Sequence, residues 1–136
     1  MKKTALTPAV VLLWFWASIL APPHSAQAEP LKARPQQGFA SWYGEEHRGK
    51  LMANGRPFDP DRFTAASWFY PLGTRVRVTV NAPHFEPRSV LVTITDRGPA
   101  KRLVQQGRVI DLGHAAFQKL AQSDLGLVEV VVEPVQ

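Results

Sequence analysis

Strict alternation of polar and apolar residues in short segments constrains the fold of this 136-residue chain more than any other feature. The alternation is clearest at 75–80 (RVRVTV), 89–95 (SVLVTIT) and 127–133 (LVEVVVE), segments that are rich in Val, Ile and Thr. A period of two with β-branched side chains is typical of half-buried β-strands. Shorter strands are predicted at 38–43 and 109–111.

Turn residues separate these segments and indicate how the strands are arranged. Most of the 12 prolines and 9 glycines fall between the predicted strands, where they mark turns. One helix is predicted from Leu112 to Ala121, with Asp111 as its N-cap and Gly126 beyond its end. We therefore expect an all-β fold, a closed or nearly closed barrel of six short strands with one short helix, because closure removes exposed strand edges.

Residues 1–28 have the pattern of a secretory signal peptide. Two lysines precede an uncharged apolar run at 9–20, and a small-x-small site ends at Ala28, so cleavage is expected before Glu29. The run is shorter than the roughly 20 residues that a transmembrane helix needs. Because the run contains tryptophans, an uncleaved N-terminal anchor is the alternative.

The remaining residues are predicted to form a short leader and one domain. Residues 29–37 (EPLKARPQQ) have no apolar period and are predicted to be a flexible leader, and residues 38–134 are predicted to form the barrel. No cysteine occurs, which excludes disulfides, thiolate zinc ligands and a lipidated cysteine. We expect a monomer that is periplasmic or secreted and has no stable membrane anchor after signal cleavage.

The charge pattern argues against nucleic acid as a partner. The formal net charge is +5, and two of the positive charges belong to the predicted signal peptide. The other arginines and lysines are scattered, without a basic run or a basic helix, whereas a mild positive excess suits an anionic polymer such as cell wall. His47, His84 and His114 lack metal-ligand spacing, so neither a metal nor a cofactor is predicted.

Asp96 is the strongest candidate for chemistry, because a strand is predicted to end at Thr95 and a Gly-Pro turn follows. Loops at the rim of a rigid barrel are common positions for catalytic groups. The alternative is structural: the Asp96 carboxylate accepts hydrogen bonds from turn amides or pairs with Arg97. Asp111 is a second carboxylate near a strand end, with the helix N-cap as its structural explanation.

The aromatic residues form a second candidate feature. Trp42, Tyr43 and the run at 68–70 (WFY) have the side chains that stack on the apolar faces of sugar rings. The alternative is that they fill the core of a small barrel. Because consecutive residues of a strand point to opposite faces, the run at 68–70 is not expected to be wholly buried.

Six short motifs occur in a fixed order along the chain: GFASWYG at 38–44, ANG at 53–55, FTAA at 63–66, GTRVRV at 73–78, TDRGP at 95–99 and RVIDL at 108–112. Together they resemble the rare lipoprotein A (RlpA) family of septal-ring lytic transglycosylases, from Gly38 to about Val132. The resemblance implies a double-psi β-barrel, the fold of expansins and family 45 endoglucanases. It also implies cleavage of peptidoglycan glycan strands, with a preference for strands stripped of stem peptides.

The resemblance assigns the family's catalytic aspartate to Asp96. The family's acidic residue after Ala-Asn-Gly is Arg56 here, and its histidine after Thr-Ala-Ala is Ser67. The side chains predicted to contact substrate are Tyr43, Asn54, Arg56, Ser67, Trp68, Arg97 and Asp111.

Three classes of function follow from these observations. In the first, Asp96 serves as acid and then as base in cleaving the bond between N-acetylmuramic acid (MurNAc) and N-acetylglucosamine (GlcNAc), which leaves 1,6-anhydro-MurNAc ends. No second carboxylate is required to hold water, unlike the pair in an ordinary glycosidase. In the second, the domain binds glycan without turnover, as an expansin-like module, because Arg56 and Ser67 replace two family site residues. A secreted interaction domain without a sugar ligand is a further alternative.

Overall fold

The structure, a computed structural model, describes residues 33–82 and 86–136. The predicted signal peptide, the start of the predicted leader and His84 lie outside these described residues. No helix within the described ranges is long and apolar enough to span a bilayer.

Six strands form the closed barrel that the alternation predicts. They are β1 Gln36–Tyr43, β2 Thr64–Ala66, β3 Arg75–Val80, β4 Ser89–Asp96, β5 Arg108–Gly113 and β6 Val128–Pro134. The strand order around the barrel is β1-β5-β2-β4-β3-β6. The pairs β1–β5 and β2–β4 are parallel, and the other four pairs are antiparallel. The predicted all-β, six-stranded barrel is therefore confirmed.

The alternating side chains fill the barrel. In β3, Val76 and Val78 are fully buried while Arg75 and Arg77 are exposed. The same alternation in the other strands supplies the rest of the core, which includes Ala40, Val92, Ile94, Ile110, Leu112, Val130 and Val132. Burial of these apolar side chains provides the main stabilisation of a domain without disulfides.

Several strand boundaries differ from the prediction by one to two residues, and one strand was not predicted. β1 begins at Gln36, so residues 36 and 37 belong to the barrel and not to the leader, and Gln36 pairs with Val132 of β6. β2 was not predicted, because its three residues are too few to show an alternation.

The helical segments are shorter and more numerous than predicted. α1 spans Lys101–Val104 and α2 spans His114–Gln118, and two single 3-10 turns lie at Glu45–His47 and Ser123–Leu125. Leu112 is fully buried and pairs with Trp42 and Ala65, so the sheet extends to Gly113 before the helix begins. The N-cap of α2 is Gly113, and the prediction that Asp111 caps it is wrong.

Close approach of β1 to β5 requires glycine at position 38. A Cβ there would collide with the carbonyl oxygen of Gly107 and lie 2.7 Å from Val109 Cγ1. We expect Gly38→Ala to lower the free energy of unfolding by about 2 kcal/mol, because rotating a side chain cannot relieve contact with backbone. Chemical denaturation measures the change. Gln37→Ala, an exposed neighbour in β1, is the control and should stay within about 0.5 kcal/mol of the parent; equal stability of the two variants would contradict this account.

Candidate active site

The barrel brings two aspartates from different strands to one cavity. Ala66 of β2 pairs with Asp96 of β4 on one side and with Asp111 of β5 on the other. Two strand spacings separate the aspartate Cα atoms, a distance of about 10 Å. Both residues border an open cavity of about 300 Å³, whose other charged or titratable lining residues are Tyr43, His47, Arg97 and Arg108.

Asp96 stands at the end of β4 with one carboxylate oxygen held by main chain. Its Oδ1 accepts hydrogen bonds from the N–H groups of Ala53 and Arg97, each at 2.8 Å. Ala53 lies in the loop between β1 and β2, so these bonds join two loops at the rim. Among the described residues no hydrogen bond reaches Oδ2. One oxygen is thus fixed in place, while no residue that the structure describes competes for the other.

Arg97 does not pair with this carboxylate. Its guanidinium Nη1 donates to the carbonyl oxygens of Ser67, at 2.8 Å, and Tyr70, at 2.7 Å. The side chain therefore ties the segment after β2 to the rim loop, although it also borders the cavity. The structural alternative for Asp96 is half right: the carboxylate accepts a turn amide, but it forms no ion pair with Arg97.

Asp111 is a partly buried carboxylate on the lining of the same cavity. Its Oδ1 accepts a short hydrogen bond from the hydroxyl of Ser41. Burial raises the pKa of Asp111 above the ordinary value, while the Ser41 hydrogen bond and the positive charge of Arg108 act in the opposite direction. Gly98 lies beside the carboxylate, since a Cβ at that position would be in ordinary contact with Asp111 Oδ2, at 3.6 Å.

The hydroxyl of Tyr43 lies near both carboxylates. It is buried without a hydrogen-bond partner among the described residues, and the ring packs 4.4 Å from that of Phe58. Burial, followed by the negative charges of Asp96 and Asp111, raises the pKa of Tyr43 far above its ordinary value. The phenol therefore stays protonated and remains a neutral donor for a substrate or a carboxylate.

Three other predicted substrate contacts lie elsewhere. Ser67 is fully buried, and its hydroxyl donates to the carbonyl of Val109 at 3.1 Å, so its side chain exposes no surface to the cavity. Asn54 and Arg56 are exposed, but they border a neighbouring hollow of about 310 Å³ and not the cavity of the two aspartates.

The aromatic side chains divide between rim and core. Trp68 is 47% exposed, its Nε1 donates to the carbonyl of Pro99 at 2.7 Å, and Lys101 Nζ lies 5.7 Å from its ring centroid. Phe69 is also exposed and Tyr70 is buried, so the run is only partly buried, as predicted. Trp42 borders the cavity, but its ring packs 4.4 Å from His114 at the edge of the core.

Sequence reasoning missed Ser41 as a functional neighbour. It lies two residues before Tyr43 in β1, so the period of a strand already places the two side chains on one face. Its pairing with Asp111 depends on the parallel register of β1 with β5, which is not visible in either segment alone. Within the described residues no group of three His, Asp or Glu side chains is arranged to hold a metal ion.

Comparisons of the sequence agree with this architecture. The double-psi β-barrel family model DPBB_1, described as "Lytic transglycolase", matches residues 35–132. A relative from Pseudomonas aeruginosa (strain UCBPP-PA14), "Endolytic peptidoglycan transglycosylase RlpA", is 43% identical over 102 residues, which are 73% of this chain and 28% of that protein. The chain thus spans less than a third of the length of that relative.

Two solved structures have similar folds. A Streptomyces papain inhibitor superposes with a TM-score of 0.59 and 26% identity, over 78% of this chain and 98% of that one. The expansin of Clavibacter michiganensis superposes with a TM-score of 0.56 and 23% identity, over 76% of this chain and 51% of that one. The second likeness concerns the fold alone.

Proposed function

Because the chain belongs to the double-psi β-barrel family of lytic transglycosylases, we propose that it cleaves peptidoglycan glycan strands endolytically between MurNAc and GlcNAc. The observation that carries the proposal is the position of Asp96. Its carboxylate stands at a strand end in an open cavity, with Oδ1 fixed by two main-chain donors and Oδ2 without a hydrogen-bond partner among the described residues. Such a pre-positioned carboxylate suits proton transfer to or from a bound sugar.

The reaction needs an intramolecular attack. The C6 hydroxyl of MurNAc attacks C1 of the same residue while the bond to the GlcNAc oxygen breaks, which yields a 1,6-anhydro ring. Asp96 takes the proton of the C6 hydroxyl. In the simplest form of the mechanism, Asp96 also gives the proton to the leaving oxygen. The product has the same atoms as the substrate, because water is not consumed.

The positive charges around the cavity favour glycan strands without stem peptides as the substrate. Removal of the peptide leaves a free lactyl carboxylate on each MurNAc residue. Arg108 borders the cavity, and Arg56 borders the neighbouring hollow. The exposed ring of Trp68 is hydrogen-bonded to Pro99 of the cavity lining, and Lys101 lies near that ring. These cations favour an anionic strand, and Trp68 offers a face for a sugar ring. Asn54 and Arg56 would then contact the strand away from the scissile bond.

The proposed activity fits an exported protein. Peptidoglycan lies outside the cytoplasm, which agrees with the signal peptide predicted for residues 1–28. We therefore propose that the domain works in the periplasm or outside the cell. The monomeric state and the absence of a cofactor stay predictions from the sequence.

Product analysis in water labelled with heavy oxygen tests this function. We expect purified protein to convert denuded glycan strands to fragments that end in 1,6-anhydro-MurNAc, without label, as seen by mass spectrometry. Reducing ends that carry the label would show hydrolysis and refute the transglycosylase. Binding without any cleavage would favour the expansin-like module.

A further inference from the structure

We propose that Asp111 is a second catalytic residue, the proton donor to the leaving sugar, while Asp96 acts as the base. This inference rests on the proposed function and changes its mechanism. In the simplest scheme one carboxyl group is both proton donor and base. Here the two roles belong to two carboxyl groups, and the barrel holds them on either side of Ala66.

The two carboxylates have different surroundings. Asp96 Oδ1 accepts from two main-chain N–H groups and stands at the open strand end. Asp111 accepts from one side-chain hydroxyl, that of Ser41, and lies beside Gly98. Desolvation raises the pKa of Asp111, so it keeps a proton at higher pH than an exposed aspartate does. Paired carboxyl groups in unlike environments are the usual arrangement for separate acid and base roles.

The remaining polar groups at the cavity agree with this division. Arg97 donates to main-chain carbonyls and forms an ion pair with neither aspartate. Tyr43 is a neutral phenol close to both carboxylates. The titratable and charged groups that face Asp111 across the cavity are Tyr43, His47, Asp96, Arg97 and Arg108.

The step balances as a proton relay through the substrate. Protonated Asp111 gives its proton to the glycosidic oxygen as the bond from that oxygen to C1 of MurNAc breaks. The C6 oxygen forms the new bond to C1, and its proton passes to the Asp96 carboxylate. Exchange with solvent then returns Asp96 to its ionised form and Asp111 to its protonated form. No oxidant, reductant or water molecule is consumed.

A change of leaving group distinguishes a proton donor from a structural residue. The probes are denuded glycan strands and the nitrophenyl glycoside of the GlcNAc–MurNAc disaccharide, whose nitrophenolate leaves without protonation. We expect Asp111→Asn to lose about 10³-fold in kcat/KM on strands but to stay within about tenfold of the parent on the aryl glycoside. It should also lose the alkaline limb of the pH–rate profile. Asp124→Asn, an exposed aspartate in a 3-10 turn, is the matched control and should not change either rate.

Folding is checked separately, by thermal unfolding. Because the raised pKa of Asp111 means that ionisation destabilises the folded state, stability is lost as pH rises through the window above the ordinary value of 3.8. An asparagine cannot ionise and still accepts from Ser41, so Asp111→Asn should be at least as stable as the parent at neutral pH. Ser41→Ala provides a second variant, which should shift the pH profile while the aryl glycoside is still cleaved.

The outcomes separate the two proposals. Equal losses of Asp111→Asn on both substrates, or no loss on strands, would overturn the donor role while the parent still makes anhydro ends. If the parent protein cleaves neither substrate, the proposed function fails, and the donor role fails with it.

Discussion

Asp96→Asn is expected to reduce cleavage of denuded strands by about 10³-fold or more, without unfolding the domain. The asparagine Oδ1 can still accept from the N–H groups of Ala53 and Arg97, so the rim loops keep their connection. The amide nitrogen that replaces Oδ2 cannot accept the proton of the C6 hydroxyl. Kinetics on denuded strands, together with thermal unfolding of the same preparation, measure the two effects.

Activity on the aryl glycoside distinguishes a base from a proton donor. A base is needed whatever the leaving group, so Asp96→Asn should lose activity on strands and on the aryl glycoside alike. This differs from the behaviour expected of Asp111→Asn, although both variants replace one carboxylate oxygen by an amide at the same cavity. If Asp96→Asn retains more than about a tenth of the parent rate while folded, Asp96 is a turn residue and not the base.

Most barrel strands were predictable because the alternation that specifies them lies within each strand's own sequence. In β3 and β4, period-two patterns with β-branched residues specify both the strand and the face that becomes buried. β2 was missed because three residues hold no pattern, yet β2 sets the spacing of the two aspartates. Its place between β4 and β5 depends on pairings with distant segments.

The prediction of Asp111 as a helix cap failed for a related reason. An aspartate shortly before an apolar helical segment favours an N-cap, and nothing local contradicts that interpretation. In the folded chain, Leu112 fills the barrel and the sheet pairing continues to Gly113. Tertiary packing therefore overrides the local preference. The Asp111 carboxylate does not cap the helix and instead accepts a hydrogen bond from Ser41 at the cavity.

A residue of the candidate site was predictable where its sequence context lies within one segment. Asp96 follows a strand and precedes a Gly-Pro turn, and the resemblance selects the same residue. The neighbours Ser41 and Tyr43 become partners of the aspartates only through strand register. Ser67 shows the limit of assigning site residues by motif position: it follows Thr-Ala-Ala as expected, but its side chain lies inside the protein.

The buried position of Ser67 leads to a prediction about restoring the two replaced site residues. Ser67→His is expected to lower the free energy of unfolding by about 3 kcal/mol, because an imidazole exceeds the space of a fully buried serine. It also removes the hydroxyl that donates to Val109 and accepts from the N–H of Phe69. Arg56→Glu lies on the exposed rim and should change stability by less than about 0.5 kcal/mol.

Denaturation of Ser67→His, Arg56→Glu and Ser67→Ala measures these contributions separately. Ser67→Ala removes the hydrogen bonds without adding volume, so it should cost about 1 kcal/mol, and the difference from Ser67→His reports the crowding alone. A Ser67→His protein that is as stable as the parent and cleaves strands faster would show that the side chain at this position reaches the cavity. In that case the family's histidine site would be recoverable in this chain. The expected instability would instead show that a histidine does not fit at this buried position, so that the side chain at 67 contributes nothing to the cavity of Asp96 and Asp111.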